Sequence, residues 1–340
     1  MSSLSLQPLF EDVDWQPVIA AMHRAKHIVL TTHCNPDGDG IGSQMALFDL
    51  LSELGDKHIS MHNRDGVPRI YTFLKHADKV QRGDAAIVAD KPDLIIALDC
   101  GGRGRLGMDE AWFAGATLIN IDHHASNRLF GDINMVDARY CATGAMIYDL
   151  LIAMELSLNF DRATALYAAI LTDTGCFRLA SATPDVYRMG AALIEAGARP
   201  WQVSVEVYER RSLSGMKMMT ACLETLKIRD AGRSAWVFVT EQMYQETGAD
   251  VEDTEGLIDY ARSIDGVEIA VLIRSDEVNF GAWKVSFRGK TIANVGALAG
   301  TLGGGGHVHA AGCQLKGSYS QVLTQVQLAV SNTLRVSASN

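Results

Sequence analysis

His33, Asp37 and Asp39 lie in HCNPDGDG, where Pro36 and the glycines impose a tight turn that lets side chains converge on one point. One imidazole and two carboxylates form a donor set suited to Mn²⁺- or Mg²⁺-like ions. Alone, the triplet reads equally well as a polar turn, since Asp and Gly are ordinary turn residues. Asp99 ends the run DLIIALD and precedes Cys100-Gly101-Gly102; by itself it reads as a strand terminator. Asp122-His123-His124 shifts the balance. Adjacent histidines at the end of a buried strand point to opposite sides, and both need polar partners. One can ligate an ion while the other faces a substrate or a supporting carboxylate. With Asp173, the carboxylates and histidines of this set fall at the edges of expected elements. Gathered in one crevice without cations, they would repel one another and cost several kcal/mol to desolvate. Two metal ions remove that cost, with one aspartate bridging ions about 3.5–4 Å apart and a bridging hydroxide as nucleophile, the arrangement used for in-line phosphoryl displacement.

A second feature is the run Gly303–Gly306, followed by His307. Glycines allow close backbone approach and can turn several N–H groups toward an anion. A flexible linker would mix Ser with Gly and would not sit between two structured elements. The run therefore reads as a phosphate-binding nest. Arg262, Arg274 and Arg288 are candidate phosphate or base contacts, each also an ordinary surface residue. Arg103 and Arg105 follow Asp99 closely enough to reach the same crevice.

These residues need elements to position them. His27–Thr32 reads as a short buried strand that stops at the His33 loop, with a helix from near Ile41 and Gly55 past its end. Asp93–Asp99 and Thr117–Asp122 read as central strands, each ending in an aspartate. Helices are expected around Gly144–Leu156 and Ala163–Thr172, the second capped by Asp161. Trp201–Ile228 reads as one polar helical connector. Beyond it, strands are expected at Ala235–Thr240, Val267–Arg274 and Phe280–Arg288, with helices at Asp253–Ser263, Ile292–Thr301 and from Tyr319. The tail SASN reads as frayed. The fold class is α/β, with an N-terminal, mostly parallel sheet flanked by helices and a smaller C-terminal α/β domain. Boundaries fall at 1–198, 199–228 for the connector, and 229–340. Ligands of such sheets bind outside the carboxyl ends of the strands, where the aspartates fall.

At 340 residues the chain suits about two domains, each able to bury a core. With 48% apolar and 21% charged residues it is an ordinary globular composition, which excludes disorder as the main state. No apolar run approaches the ~20 residues that cross a bilayer, and no leader pattern opens the chain. The expected location is the cytoplasm. Six cysteines without a CxxC pair read as reduced thiols, not as a disulfide framework or a thiolate zinc site. A net charge of −10 opposes broad duplex binding through a basic face. An anionic substrate would need a local change of sign, which bound divalent ions provide.

HCNPDGDGIGS, ALDCG, DHH and TDTG in this order, with GGGGHVHAAG near the C-terminus, resemble the DHH/DHHA1 phosphoesterases. The likeness spans about His27 to Leu315 and is closest to the stand-alone nanoRNase and pAp phosphatase members. It implies a catalytic domain and a DHHA1 substrate-binding domain across a cleft. His33, Asp37 and Asp99 would hold one metal; Asp39, His123, Asp173 and Asp99 would hold the other. Asp122 would support a ligand from behind, and His124 would stand by the scissile phosphate. Gly304, Gly305, Gly306 and His307 would grip a terminal phosphate or nucleotide, with Arg262, Arg288 and Arg103 as further contacts. The family usually prefers Mn²⁺; Mg²⁺ and Co²⁺ are alternatives. Gly40, where the family pattern has alanine, departs from it without touching a ligand. Cys34 and Cys100, beside ligands, are expected to make the site sensitive to oxidation.

The implied activity is a two-metal phosphodiesterase and phosphatase on very short RNA, di- to pentanucleotides such as pGpG or pApA, and on the 3′-phosphate of pAp. Expected partners are short single strands, without duplex nucleic acid or membrane; apolar helices lacking an obvious partner leave room for a homodimer. A cyclic dinucleotide (c-di-AMP) phosphodiesterase is the nearest rival. A nucleotide sensor that binds without turnover is a rival of another class, disfavoured because every metal-binding carboxylate is present.

Overall fold

The computed structural model describes residues 6–83, 91–275 and 281–337. Phe280, where the third strand of the second domain was expected to begin, the opening five residues and the last three of SASN lie outside this range. The chain divides into two compact units, 1–210 and 211–340.

The first unit comprises α1 (Gln16–Arg24), β1 (His27–Thr32), α2 (Gly38–Leu51), β2 (His58–Asn63), β3 (Val80–Arg82), β4 (Leu94–Leu98), β5 (Thr117–Asp122), β6 (Ile133–Val136), α3 (Thr143–Ala153), α4 (Phe160–Asp173), α5 (Pro184–Glu195) and α6 (Pro200–Tyr208). Its strands form one parallel sheet in the order β3-β2-β1-β4-β5-β6. The continuous apolar runs have the expected cause: alternate residues are buried on opposite faces. Ile28, Leu30, Ile96, Leu98, Ile119 and Ile121 pack into the core under the helices. Val29, Ile95, Ala97 and Leu118 pack on the other face. Among the described residues, that second face is covered by short 3-10 turns carrying Leu106, Trp112 and Phe113, not by α-helices. The chain reverses its direction of progress across the sheet between β1 and β4, and the loops leaving those two strands carry His33 and Asp99. A crevice at such a switch point is where open parallel sheets bind ligands.

Several elements differ from the sequence reading. The helix after β1 begins at Gly38, not near Ile41, because Asp37 caps it, accepting from the amides of Asp39 and Gly40. The cap of α4 is Asn159, which accepts from Arg162 N, not Asp161. The expected single connector helix is two helices, broken at Glu209–Ser212. The first, α6, belongs to the first unit, and the second, α7 (Leu213–Glu224), starts at a Ser212 cap in the second.

The second unit continues with β7 (Lys227–Arg229), β8 (Ser234–Val239), α8 (Glu241–Thr247), α9 (Leu257–Ser263), β9 (Ile269–Ser275), β10 (Ala282–Gly289), α10 (Val295–Thr301), β11 (Gly305–Gly306), β12 (Ala310–Lys316) and α11 (Tyr319–Ser337). Its sheet runs β11-β12-β10-β9-β8-β7, antiparallel except for β8 with β9. Val285, Phe287, Val295, Leu298, Val326 and Val330 build one of its two cores. Among the described residues, no helix is long and apolar enough to cross a membrane.

In the first unit α2 lies against α4 almost without intervening side chains. A Cβ at Gly42 would stand 2.4 Å from Ala165 O and 2.9 Å from Ala169 Cβ. One at Gly144, in α3, would stand 2.6 Å from Ala169 Cβ. Gly42→Ala must therefore push the helices apart, since the atom it meets is backbone. The expected cost is about 1–3 kcal/mol, as for other overpacked cores, read as a lower urea midpoint; an unchanged midpoint would contradict this contact.

Candidate metal centre

Five elements deliver donors to the carboxyl edge of the parallel sheet. β1 delivers His33; the start of α2 delivers Asp37 and Asp39; β4 delivers Asp99; β5 delivers Asp122, His123 and His124; the end of α4 delivers Asp173. His33 Nε2 lies 3.8 Å from Asp37 Oδ2 and 3.4 Å from Asp99 Oδ2. His123 Nε2 lies 3.6 Å from Asp39 Oδ2, 3.4 Å from Asp173 Oδ2 and 3.7 Å from Asp99 Oδ1. Most of these separations exceed hydrogen-bond lengths. They approach the roughly 3.0–3.4 Å between neighbouring donors around an ion with bonds of about 2.1 Å. Asp99 offers Oδ2 to one set and Oδ1 to the other. Its backbone is left-handed, φ +52°, a strained state for a non-glycine residue that tends to persist where function requires it.

The donor set fits divalent cations. Asp39, Asp99, His33 and His123 are all less than a tenth exposed. A buried cluster of carboxylates at these distances needs positive charge from outside the chain or uptake of protons. Protonation is what the cation-free cluster does. Burial, then repulsion from Asp99 and its neighbours, holds the carboxyls of Asp39 and Asp173 well above the usual range. Burial opposes a charged His33, but the carboxylates of Asp37 and Asp99 outweigh it and push its pKa up to about 10. Asp99 itself is held far below the usual carboxylate range: burial raises it, and the three histidines more than compensate.

The surrounding groups fix the candidate ligands. His33 Nδ1 meets Cys34 O at 2.8 Å and His123 Nδ1 meets Tyr140 O at 3.3 Å, so each presents Nε2 to the cluster. Thr143 N and Gly144 N donate to Asp39 at 2.6 and 2.8 Å, and Thr143 Oγ1 donates to Asp99 at 3.3 Å. These partners were missed in the sequence. The available signal was that α3 lacks a side-chain cap of its own, so its first amides must find an acceptor elsewhere. Asp122 Oδ1 lies 2.7 Å from His124 Nδ1, and Asn127 Nδ2 donates to Asp122 Oδ2. Burial opposes the charged imidazole of His124, but Asp122 and Asp99 raise its pKa to about 9.

The cysteine expectation changes. Burial pushes the Cys100 thiol up to about 12 and also raises Cys34. Neither is an activated thiolate. Arg103 is already engaged: it pairs with Glu110 and lies over the Phe113 ring at 4.2 Å. In the second unit, Arg262 pairs with Asp259 at 3.1 Å and Arg288 donates to Phe287 O at 3.2 Å. The glycine run is a hairpin strand, not an open nest. Gly303, Gly304 and His307 donate their amides to Gly300, Ala299 and Ala310. A Cβ at Gly304 would stand 2.1 Å from Gly312 O, so this glycine is required for packing against β12. Gly305 alone of the four is exposed with open space where a side chain would be and a φ that any residue tolerates.

With this geometry in place, family comparison agrees with the class the site defines. The family model "DHH family, N-terminal domain" matches residues 27–170, and "DHHA1 domain" matches residues 231–334. The chain belongs to the DHH family of phosphoesterases. A curated relative from Thermus thermophilus, named bifunctional oligoribonuclease and PAP phosphatase NrnA, is 32% identical over 88% of this chain and 89% of its own. The protein of that name from Bacillus subtilis is 27% identical over 85% and 89%. The crystal structure of an exopolyphosphatase-related protein from Bacteroides fragilis superposes with a TM-score of 0.86 at 23% identity, covering 97% of this chain and all of that one, which shows a shared fold.

The raised groups set an expected pH dependence. In the chelated protein, stability from His33 and His124 is fully present below about pH 6.5 and is lost as pH rises through about 9 to 10. Asp39 and Asp173 act in the same direction, since their folded pKa values are also raised. The melting temperature of chelated protein should fall between pH 6.5 and 10. Manganese binding near pH 7 should release protons, seen calorimetrically as a buffer-dependent heat. A buffer-independent heat would contradict the protonated cluster.

Proposed function

We propose that the chain hydrolyses very short RNA, di- to pentanucleotides such as pGpG or pApA, to mononucleotides, and removes the 3′-phosphate of pAp, using two divalent cations with Mn²⁺ as the first choice. The observation that carries this reading is Asp99, which turns one oxygen toward His33 and the other toward His123. His33, Asp37 and Asp99 would hold one ion; Asp39, His123, Asp173 and Asp99 the other. Mixed imidazole and carboxylate donors suit Mn²⁺ over purely oxygen-seeking ions. When bound, such a pair neutralises the carboxylates, polarises phosphoryl oxygens and lowers the pKa of water.

The chain's own residues supply the rest. Asp122, braced by Asn127, fixes the His124 ring through Nδ1, so proton donation falls to Nε2. Asp122, as partner to Nδ1, favours the charged ring, which suits His124 to stabilising a phosphoryl oxygen or protonating a leaving oxygen. The hairpin at Gly304, Gly305, Gly306 and His307 would serve the nucleotide, chiefly through His307 and the open space at Gly305. The names of the curated relatives support both the RNA and the pAp readings. Action in the cytoplasm, without duplex or membrane partners, and a homodimer belong to the same proposal.

A panel tests it: 5′-labelled RNAs of two to about twenty nucleotides, pAp and c-di-AMP, with Mn²⁺ or chelator. Dinucleotides should be consumed fastest, and Asp99→Ala and Asp122→Ala should abolish turnover. His124→Ala should lower kcat about 10²- to 10⁴-fold. Equal rates at all lengths would remove the short-substrate claim, and preference for c-di-AMP would favour the cyclic dinucleotide reading.

A further inference from the structure

The short turn after β4 carries Cys100, Gly101, Gly102, Arg103, Gly104 and Arg105, and little of it is explained by the ligands themselves. It offers a floor with few side chains beside His124. A Cβ at Gly101 would stand 3.8 Å from both Asp122 Oδ2 and His124 Cβ, and one at Gly104 would meet nothing within 4 Å. Two arginines border this floor. Arg105 donates its amide to Gly102 O at 2.9 Å, and its carbonyl accepts from Cys34 N at 2.7 Å, which pins it beside the His33 loop. Arg128 donates its amide to Gly101 O at 3.1 Å, and its Cδ would lie 3.8 Å from a Cβ at Gly102.

Both side chains are exposed. Among the described residues, neither takes part in an ion pair or side-chain hydrogen bond. Their neighbours differ: Arg103 is spent on Glu110, Arg139 on Asp12 and Asp137, and Arg178 on Gly175 O. The positive charge of Arg105 reaches Cys34, Cys100 and His124. Two uncommitted guanidiniums on a bare floor next to an acidic cluster, in a chain of net charge −10, are placed to receive an anion. The floor adjoins His124 and Asp122.

We propose that Arg105 and Arg128 bind a second, non-scissile phosphate of the substrate, so that the first unit itself selects nucleotides bearing a terminal phosphomonoester next to the bond to be cut. This rests on the phosphoesterase reading above and adds the chemical class it prefers: 5′-phosphorylated dinucleotides over unphosphorylated ones, and pAp over 3′-AMP. Guanidinium forks suit such a dianion through paired, charge-assisted hydrogen bonds.

The test compares Arg105→Gln and Arg128→Gln with the unaltered protein in Mn²⁺ on pApA against ApA and on pAp against 3′-AMP. The unaltered protein should favour the phosphorylated member of each pair. Each variant should shrink the ratio of kcat/KM values about 10- to 100-fold, mainly through KM, and Arg105→Lys should restore part of it. Losses equal for both members of a pair, or an unchanged ratio, would overturn the assignment. If the unaltered protein hydrolyses none of the four, the activity reading fails separately. Calorimetric titration of the chelated proteins with pAp then decides: at least tenfold weaker binding by the variants supports the assignment, and equal binding overturns it.

Discussion

Like charges held close together in a dry place govern the first unit. Asp39, Asp99 and Asp122 are almost fully buried, Asp173 lies mostly so, and Asp37 stands at the exposed entrance. Few folds tolerate such a cluster, because neither water nor a matching set of Lys and Arg side chains neutralises it. His33 and His124 offset part of the charge by taking up protons, and the amides of α3 offset another part. What remains calls for multivalent cations. The left-handed backbone at Asp99, the cap at Asp37 and the bare contact between α2 and α4 all serve to hold the donors where repulsion would separate them.

Much of this was legible in the sequence because it depends on local rules. β1 and β5 fall where the apolar runs place them, since strands buried on both faces have few other ways to read. The parallel α/β class and the family followed from motifs spread along most of the chain. The candidate ligands could be named because several Asp and His residues recur together at strand ends, where each one alone has a cheaper explanation. Other features were not legible, for physical reasons. Whether Asp161 or Asn159 caps α4 depends on one residue of register. The break after α6 follows from packing in two separate units and leaves no proline or glycine to mark it. The second face of the sheet is covered by 3-10 turns, whose weak periodicity hides them.

The glycine run shows where composition misleads. Four consecutive glycines suggest a cradle of free amides, but backbone polar groups in a folded unit must be paired, and most of these are. Gly304 is there because β12 passes too closely for a side chain. The arginines show the converse error: Arg103 and Arg105 look alike in sequence, and only the position of Glu110 and the Phe113 ring tells the committed side chain from the uncommitted one.

The contact between α2 and α4 has a consequence for how this centre can evolve. Asp39 opens one helix and Asp173 closes the other, and where they touch, backbone meets methyl group. The gap between those two carboxylates is therefore calibrated by the girth of Ala165, Ala169 and Gly42, residues that coordinate nothing. Thickening that seam would shift the two carboxylates relative to each other while leaving every candidate liganding side chain unchanged.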